Sequence, residues 1–165
     1  DRKYEMALVN LETYFSFPNM DSSNHNFRYS PDNGATWVNI NIPEGSYELV
    51  DINEYIQRIM RENGHYDSAS DEYNITLEAN NNTLKSVLNI AANYMVDLTP
   101  ENSVRSVLGF NALMYSSGYN ESENIVNILS VTSLRITSDI IGSSYSNGSN
   151  ENTIYSFFPI CRSWL

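Results

Sequence analysis

Residues 124–159 give the clearest pattern of apolar and polar positions in the chain, with a long β-type run, a Ser/Asn/Gly-rich hinge and a second β-type run. From residue 134, Leu134, Ile136 and Ile140 share one parity, and Arg135, Thr137 and Asp139 share the other. A two-residue period is the signature of a β-strand that is buried on one face only. Upstream, Ile125, Leu129 and Val131 have the opposite parity, so we expect a bulge or bend near Thr132.

Residues 142–152 are predicted to form a turn region between two strands. Tyr145 is their only large apolar residue, and Asn147 with Gly148 forms a dipeptide that favours a tight reverse turn. A second β-type run follows and closes on Phe-Phe-Pro at 157–159. The whole segment therefore predicts β-sheet, and it holds no obvious chemistry.

Two earlier segments predict antiparallel hairpins. In the first, strands over 27–30 and 36–42 flank a turn at 31–34, where proline presets φ and Asn-Gly accommodates positive φ. In the second, strands over 73–79 and 84–90 flank three consecutive asparagines. Val38, Ile40 and Ile42 alternate with Trp37, Asn39 and Asn41 in the first hairpin, and Tyr73, Ile75, Leu77 and Ala79 alternate in the second, as apolar residues of half-buried strands do. Further strands are predicted at 4–11 and 94–98.

The first of two predicted helices begins at Asp51, an N-cap residue that Glu54 follows three positions later. Apolar residues recur through it at helical spacing, and Asn63 with Gly64 ends it. We expect this apolar stripe to cover a sheet rather than to bind a partner. The stripe consists of Ile52, Tyr55, Ile56, Ile59 and Met60.

A second, brief helix is predicted over 100–108. Thr99 is its expected N-cap, Pro100 takes the first helical position, and Gly109 ends it. Proline suits this position because its missing N–H would have no partner there. The remaining polar stretches, 15–26 and 111–124, are predicted as loops.

About eight strands and two short helices without an internal repeat indicate a mainly β fold. The order of the elements favours a jelly-roll β-sandwich with two short helices over alternating βαβ units. A chain of 165 residues suits one domain, so we expect a single jelly-roll-like domain over 1–165.

Composition and charge narrow the choice of partners. The chain has 20 acidic and 9 basic residues, and its formal net charge is −11. Nucleic-acid phosphates are bound through Lys and Arg, so we expect no nucleic-acid partner. No apolar run reaches the length of a membrane span, so none is expected. The 12 tyrosines suit contact loops, because a tyrosine buries a large area while its hydroxyl stays bonded.

Candidate catalytic and metal-binding residues are few and scattered. His25 and His65 lie in separate polar loops, nothing nearby supports a metal pair, and we interpret both as surface histidines. Residues 67–72 resemble a loop of oxygen ligands but lack the glycine and glutamate spacing of an EF-hand. Cys161 is the single cysteine, which excludes an intrachain disulfide. We therefore predict no catalytic, cofactor-binding or metal-binding residue.

Five phrases stand out when the chain is read as a whole. They are NLETYFSFPN (10–19), WVNINIPEGSYELVDINEYI (37–56), NNTLKSVLNI (81–90), NSVRSVLGF (102–110) and VNILSVTSLRITSDIIGSSYSNG…TIYSFFP (126–159). Together they resemble proteins encoded by Polinton/Maverick-type elements and by the related adintovirus-like and virophage-like viruses. The resemblance covers nearly the whole chain.

This resemblance implies a non-enzymatic jelly-roll protein of the virion, a minor or vertex capsid-type building block that acts by self-assembly. Its implied partners are further copies and other capsid proteins, without a cofactor. In the similar proteins, Phe-Phe-Pro is followed by a Pro/Gly turn and further strands, whereas residues 160–165 follow it here. We expect either a C-terminally truncated sandwich that a neighbour's strand completes, or a divergent, host-retained copy.

The main alternative is an extracellular lectin-like or cytokine-like β-sandwich that binds a sugar or a receptor. The same Tyr-, Asn- and Ser-rich loops would form its contact surface. Four Asn-x-Ser/Thr triplets would then carry glycans. They begin at Asn74, Asn81, Asn120 and Asn147.

Overall fold

The computed structural model describes residues 9–10, 17–68, 70, 72–128, 134–139, 144–146 and 149–157. The chain divides into two compact units. One is Phe17–Ile128, and the other combines Asp1–Ser16 with Leu129–Leu165. The described residues form mainly antiparallel sheets with two helices, which confirms the predicted mainly β class. The jelly-roll topology and the single domain over 1–165 stay predictions, and most of the strand predicted at 4–11 lies outside the described residues.

The larger unit contains two main sheets. Its described strands are β1 (Asn26–Ser30), β2 (Val38–Asn41), β3 (Tyr66–Asp67), β4 (Glu72–Tyr73), β5 (Ile75–Asn80), β6 (Lys85–Ile90), β7 (Met95–Asp97), β8 (Met114–Tyr115) and β9 (Gly118–Glu121). One sheet has four strands in the order β2-β1-β7-β8, and the other has three in the order β5-β6-β9. The short strands β3 and β4 pair with each other.

Both predicted hairpins are confirmed. β1 pairs antiparallel with β2, with Tyr29 opposite Val38. In the loop between them, Asn33 and Gly34 take positive φ angles of 55° and 91°, which Asn and Gly accommodate readily. β5 pairs antiparallel with β6, and the predicted strand at 94–98 is confirmed as β7.

The strand β6 is the centre of the three-stranded sheet and is buried on both faces. Val87 and Leu88 point to opposite faces, and they are 4% and 0% exposed. Two covered faces explain why the apolar residues of β6 run consecutively instead of alternating.

Helix α1 (Leu49–Glu62) buries one face and begins earlier than predicted. Glu48 is the N-cap, and Asp51 is the third helical residue rather than the cap. The Asp51 carboxylate accepts a 2.8 Å hydrogen bond from the N–H of Glu48, so it serves the helix start from inside the first turn. The predicted end at Asn63 and Gly64 is confirmed. The buried residues are Leu49, Ile52, Ile56 and Met60.

Helix α2 is shorter than predicted and covers only Arg105–Leu108. The residues before it form turns instead, because the Asp97 carboxylate accepts hydrogen bonds from both the N–H and the hydroxyl of Thr99. Gly109 ends α2 as predicted, with a φ angle of 81°. A Cβ atom at Gly109 would lie 2.4 Å from the carbonyl oxygen of Asn124, so glycine is required there.

The prediction of a polar loop over residues 111–124 is wrong. This segment contains β8, which pairs with β7, and β9, which pairs with β6. Both strands are short and lack apolar alternation. Their partner strands supply the pairing, which a local pattern does not reveal.

One hydrophobic core serves both sheets and α1 in the larger unit. Its fully buried side chains come from the four-stranded sheet, the three-stranded sheet and the helix alike. The buried side chains of α1 share this core with side chains of the strands, which confirms that the apolar stripe of α1 covers a sheet. The largest buried side chains include Tyr29, Phe27, Met20, Ile42, Ile52, Ile56, Met60, Ile75, Leu88, Leu98 and Leu108.

The described residues of the smaller unit form two antiparallel strand pairs. Its strands are β10 (Leu134–Thr137), β11 (Ser144–Ser146), β12 (Ser149–Glu151) and β13 (Thr153–Phe157). β10 pairs with β13, and Leu134 and Ile136 are more buried than the polar residues beside them, which confirms that part of the alternation. β11 and β12 pair on either side of the predicted turn at 147–148. That turn, Ile140 and the bulge predicted near Thr132 lie outside the described residues.

Candidate functional site

The two histidines lie in different surroundings. Nδ1 of His25 is 3.0 Å from the carbonyl oxygen of Asp21. Nδ1 of His65 is 2.8 Å from the hydroxyl of Tyr29, a side chain that is fully buried in the core. Burial raises the pKa of Tyr29 to about 12. His65 therefore contacts the hydrophobic core through the hydroxyl of Tyr29. The polar residues around His65 in the sequence did not indicate this contact.

The acidic segment at 67–72 is held partly by its own side chains. The hydroxyl of Ser70 donates a 2.9 Å hydrogen bond to the carboxylate of Asp67. Within the described ranges, no three His, Cys, Asp or Glu side chains form a group that could hold a metal ion. Cys161 lies outside those ranges.

An ion pair joins two strands of the four-stranded sheet. Arg28 in β1 and Asp97 in β7 are opposite each other, and their side chains approach to 3.0 Å. The guanidinium group of Arg28 also lies over the ring of Trp37, 4.6 Å from its centroid. Because Asp97 is buried and also accepts bonds from Thr99, this cluster ties β1, β7 and the turn after β7 together.

An open groove with aromatic and charged walls lies beside the start of α1. It has a volume of about 320 Å³. Arg58 lies over the ring of Tyr55, 4.7 Å from its centroid, and burial raises the pKa of Tyr47. We call this open groove beside the start of α1 the charged groove. Its lining residues are Tyr47, Asp51, Glu54, Tyr55 and Arg58.

Residues 111–124, which we call the edge segment, carry the most exposed apolar side chains around the two sheet edges. Leu113 and Met114 are 51% and 59% exposed, and Tyr119 is 66% exposed. β8 ends the four-stranded sheet and β9 ends the three-stranded sheet, with only residues 116–117 between them. The chain thus presents two sheet edges and three large apolar side chains within one short segment.

Glu123 anchors the edge segment to the core. Its carboxylate accepts a 2.8 Å hydrogen bond from the N–H of Asn111 and bonds of 3.0 and 3.1 Å from the hydroxyl of Tyr115. Tyr115 is largely buried and packs edge-on against Phe110. Burial and the adjacent Glu123 carboxylate raise the pKa of Tyr115 to about 12. The exposed side chains therefore stand on a fixed support.

A second apolar surface lies where the β5–β6 turn meets the chain after the edge segment. It is a groove of about 270 Å³, which we call the apolar groove. The N–H of Val126 donates a 2.9 Å hydrogen bond to the carbonyl of Leu84, which joins its two walls. Leu84 and Ile125 are 66% and 62% exposed. Leu84 also has a positive φ angle of 56°, which a leucine rarely adopts.

The Asn-x-Ser/Thr triplets differ in how available their asparagines are. The amide of Asn74 donates to the hydroxyl of Tyr94 at 3.2 Å. The amide of Asn120 donates to the carbonyl of Ser116 at 3.0 Å. Asn81 is exposed at the tip of the β5–β6 turn, whereas Asn147 lies outside the described residues. A glycan is therefore accommodated most easily at Asn81.

Comparison with protein-family models, curated proteins and solved structures finds no match for this chain. The candidate site therefore rests on the geometry of the chain itself. None of the helices in the described ranges combines the length and the apolar character needed to cross a bilayer.

Sequence reasoning placed contact residues in the edge segment but misjudged its structure. The segment was predicted as a polar, tyrosine-containing contact loop, whereas β8 and β9 place it in two sheets. The signal that could have revealed the strands is the pair of β-favouring tyrosines, Tyr115 and Tyr119, each beside small polar residues.

Proposed function

We propose that this chain is a non-enzymatic structural protein, a minor or vertex capsid-type building block of a virion that acts by self-assembly. The observation that carries the proposal is the edge segment, where Leu113, Met114 and Tyr119 are exposed beside two sheet edges. Exposed apolar side chains at an open sheet edge are the usual marks of a protein–protein contact. The family resemblance supplies the virion as the proposed location.

A jelly-roll arrangement of the larger unit belongs to this proposal. Two antiparallel sheets share one core, and the chain passes between them three times, from β2 to β5 by way of α1 and the β3–β4 pair, from β6 to β7, and from β8 to β9. Such crossings between two packed sheets are a property that sandwich folds share. They support a sandwich, and the resemblance supports the jelly-roll variant of it.

The charge of the chain suits regulated assembly with further copies and other capsid proteins. With a net charge of −11, subunits repel one another at low ionic strength. Salt shortens the range of that repulsion, to about 8 Å at physiological ionic strength. Assembly should therefore strengthen as salt is added, and the apolar edge segment should hold the subunits once they touch.

Negative-stain electron microscopy of the purified chain at high concentration tests this function. We expect closed shells or pentamers in the wild type and their loss in Leu113→Lys, which places a charge in the edge segment. Val50→Lys is the matched control, because Val50 is 53% exposed and belongs to α1 rather than to the edge segment. A persistent compact trimer without higher assembly, or equal assembly of all three proteins, would contradict the proposal.

The second candidate function is a lectin-like or cytokine-like binding sandwich, and the charged groove favours it. Tyrosine rings together with carboxylates and an arginine can stack on a sugar ring and bond its hydroxyls. Under this alternative, Tyr55→Ala abolishes binding to a glycan array and native material carries a glycan at Asn81. A chain that binds no glycan and is unmodified at Asn81 would argue against it.

A further inference from the structure

Three of the outer strands in the larger unit differ in whether their backbone is covered. In an antiparallel pair, residues alternate between those bonded to the neighbouring strand and those whose N–H and C=O point away from it. One identified backbone hydrogen bond between two strands therefore shows which residues of the outer strand turn their N–H and C=O groups away from its neighbour. This rule can be applied to β5, β2 and β9.

The outer edge of β5 is covered by α1. The N–H of Ala91 donates to the carbonyl of Asn74, so the alternation turns the backbone of Leu77 outward. The outward N–H of Leu77 donates a 2.9 Å hydrogen bond to Oδ1 of Asn53 on α1. The helix therefore blocks this edge.

The outer edge of β2 is polar and partly covered. The N–H of Ile42 donates to the carbonyl of His25, which turns Asn39 and Asn41 outward. The outward carbonyl of Asn41 accepts a 3.4 Å hydrogen bond from the hydroxyl of Tyr55, which also lies on α1. No large apolar side chain stands on this edge.

The outer edge of β9 is open with respect to the described residues. The N–H of Ser122 donates to the carbonyl of Ser86, so the alternation turns the backbone of Tyr119 and Glu121 away from β6. Across the part of the chain that the structure describes, no residue bonds those outward N–H and C=O groups. Tyr119, which is 66% exposed and so more exposed than Leu113 and Met114, belongs to this strand.

The geometry points to β9 as a two-fold pairing strand that joins the three-stranded sheets of two copies of this chain. In the antiparallel register centred on Asn120, Tyr119 of each copy lies opposite Glu121 of the other. Each such pair exchanges two backbone hydrogen bonds, so every outward group of the strand is used. The two sheets then form one continuous sheet across the two-fold axis.

Charge disfavours the neighbouring register that is centred on Glu121. A register centred on Glu121 would place two carboxylates directly opposite each other, which destabilises a strand pair. In the register centred on Asn120, Glu121 faces a tyrosine. The carboxylate of Glu121 is also held by Asn80 at 2.7 Å and Thr83 at 3.0 Å within its own subunit. These bonds hold the Glu121 carboxylate against its own subunit.

This inference rests on the proposed self-assembly and names the contact that begins it. Hydrogen–deuterium exchange of individual amides tests it on the unmodified chain. We expect the amides of Tyr119 and Glu121 to exchange at least about tenfold more slowly at high than at low protein concentration. The amide of Asn120, which already bonds β6, should be protected at both. Equal exchange of the Tyr119 and Glu121 amides at all concentrations would overturn the inference.

A proline substitution provides the second measurement. Tyr119→Pro removes an outward N–H that the subunit itself does not use, so the fold should tolerate it, as edge strands do. Asn39→Pro is the matched control on the β2 edge. By sedimentation equilibrium, we expect Tyr119→Pro to raise the dimer dissociation constant at least about tenfold and Asn39→Pro to leave it unchanged. Circular dichroism checks that both variants are folded.

The outcomes separate this contact from the proposed function. If Tyr119→Pro assembles into the same shells as the wild type, the β9 contact is wrong and self-assembly stands. If the wild type forms a β9-dependent dimer but never a larger particle, the contact stands and the virion function is wrong. Protection of the Tyr119 amide only when a foreign strand-forming peptide is added would overturn pairing between copies.

Discussion

Oδ1 of Asn53 in α1 accepts a 2.9 Å hydrogen bond from the backbone N–H of Leu77 in β5. A helix side chain thus occupies the outward hydrogen-bonding position of an outer strand. Open strand edges pair readily with other chains, and natural proteins commonly cover them. The chain covers the β5 edge while its edge segment stays open, which is why we place assembly at the edge segment.

Removing this cap should open the β5 edge. Asn53→Ala leaves the N–H of Leu77 without a partner, at a cost of about 1–3 kcal/mol. The higher helix propensity of alanine offsets about 0.6 kcal/mol of this cost, so we expect the free energy of unfolding to fall by about 1 kcal/mol in total. Urea denaturation measures the loss, and light scattering should detect new aggregation. Asn53→Asp is the control, since its carboxylate can still accept the bond. A stable, non-aggregating Asn53→Ala would show that the cap is dispensable.

Stability should fall steeply in alkali because of Tyr29. Burial raises its pKa from 10.0 to about 12 in the folded chain. A raised pKa means that the folded state holds the proton more tightly, so this contribution is complete below pH 10 and is lost as pH rises towards 12. Denaturant unfolding between pH 9 and about 12 measures the loss. Tyr29→Phe should flatten this dependence, and it should cost about 1 kcal/mol at neutral pH because His65 loses its partner. An unchanged alkaline profile in Tyr29→Phe would contradict this assignment.

Glu123 should control both the edge segment and the ionisation of Tyr115. Glu123→Ala removes the acceptor for two bonds, from Asn111 and from Tyr115, so we expect a loss of about 1–3 kcal/mol. The pKa of Tyr115 should also fall below about 12, because the neighbouring negative charge is gone. Spectrophotometric titration of tyrosine measures that fall. Glu123→Gln retains an acceptor and should lower the pKa with a smaller loss of stability. A pKa of Tyr115 that is the same in all three proteins would rule out this role for Glu123.

Leu84 combines an unfavourable backbone with an exposed apolar side chain. Its positive φ costs a leucine roughly 1–2 kcal/mol, whereas asparagine adopts it more readily. We expect Leu84→Asn to raise the free energy of unfolding by about 0.5–1 kcal/mol. Leu84→Ala is the control, since it removes apolar area but keeps the strained backbone. A destabilised Leu84→Asn would mean that the side chain is needed for the fold itself.

Local patterns predicted the parts of this fold that local physics determines. The turn at Asn33 and Gly34 and the apolar stripe of α1 follow from φ preferences and helical spacing, and both are confirmed. The starts of the helices shifted because side-chain bonds decided them, as Asp97 does for Thr99 before α2. β8 and β9 escaped prediction because their pairing depends on distant strands rather than on a period of their own.

The candidate site was predictable in composition and not in geometry. Tyrosine-rich contact segments were expected from the sequence, and Tyr119 is indeed among the most exposed large side chains. That its strand has an open edge depends on the bond between Ser122 and Ser86, residues 36 positions apart. No window of the sequence contains that information.

Sedimentation velocity over a wide range of protein concentration tests the central claim, self-assembly through the edge segment, most directly. We predict that the wild type and Val50→Lys form larger species as concentration rises, and that Met114→Lys forms no species larger than a dimer because its charge lies in the edge segment. Raising the salt concentration should strengthen assembly of the wild type by screening its net charge of −11. A wild type that stays monomeric at every concentration and salt, or a Met114→Lys variant that assembles like it, would contradict the account.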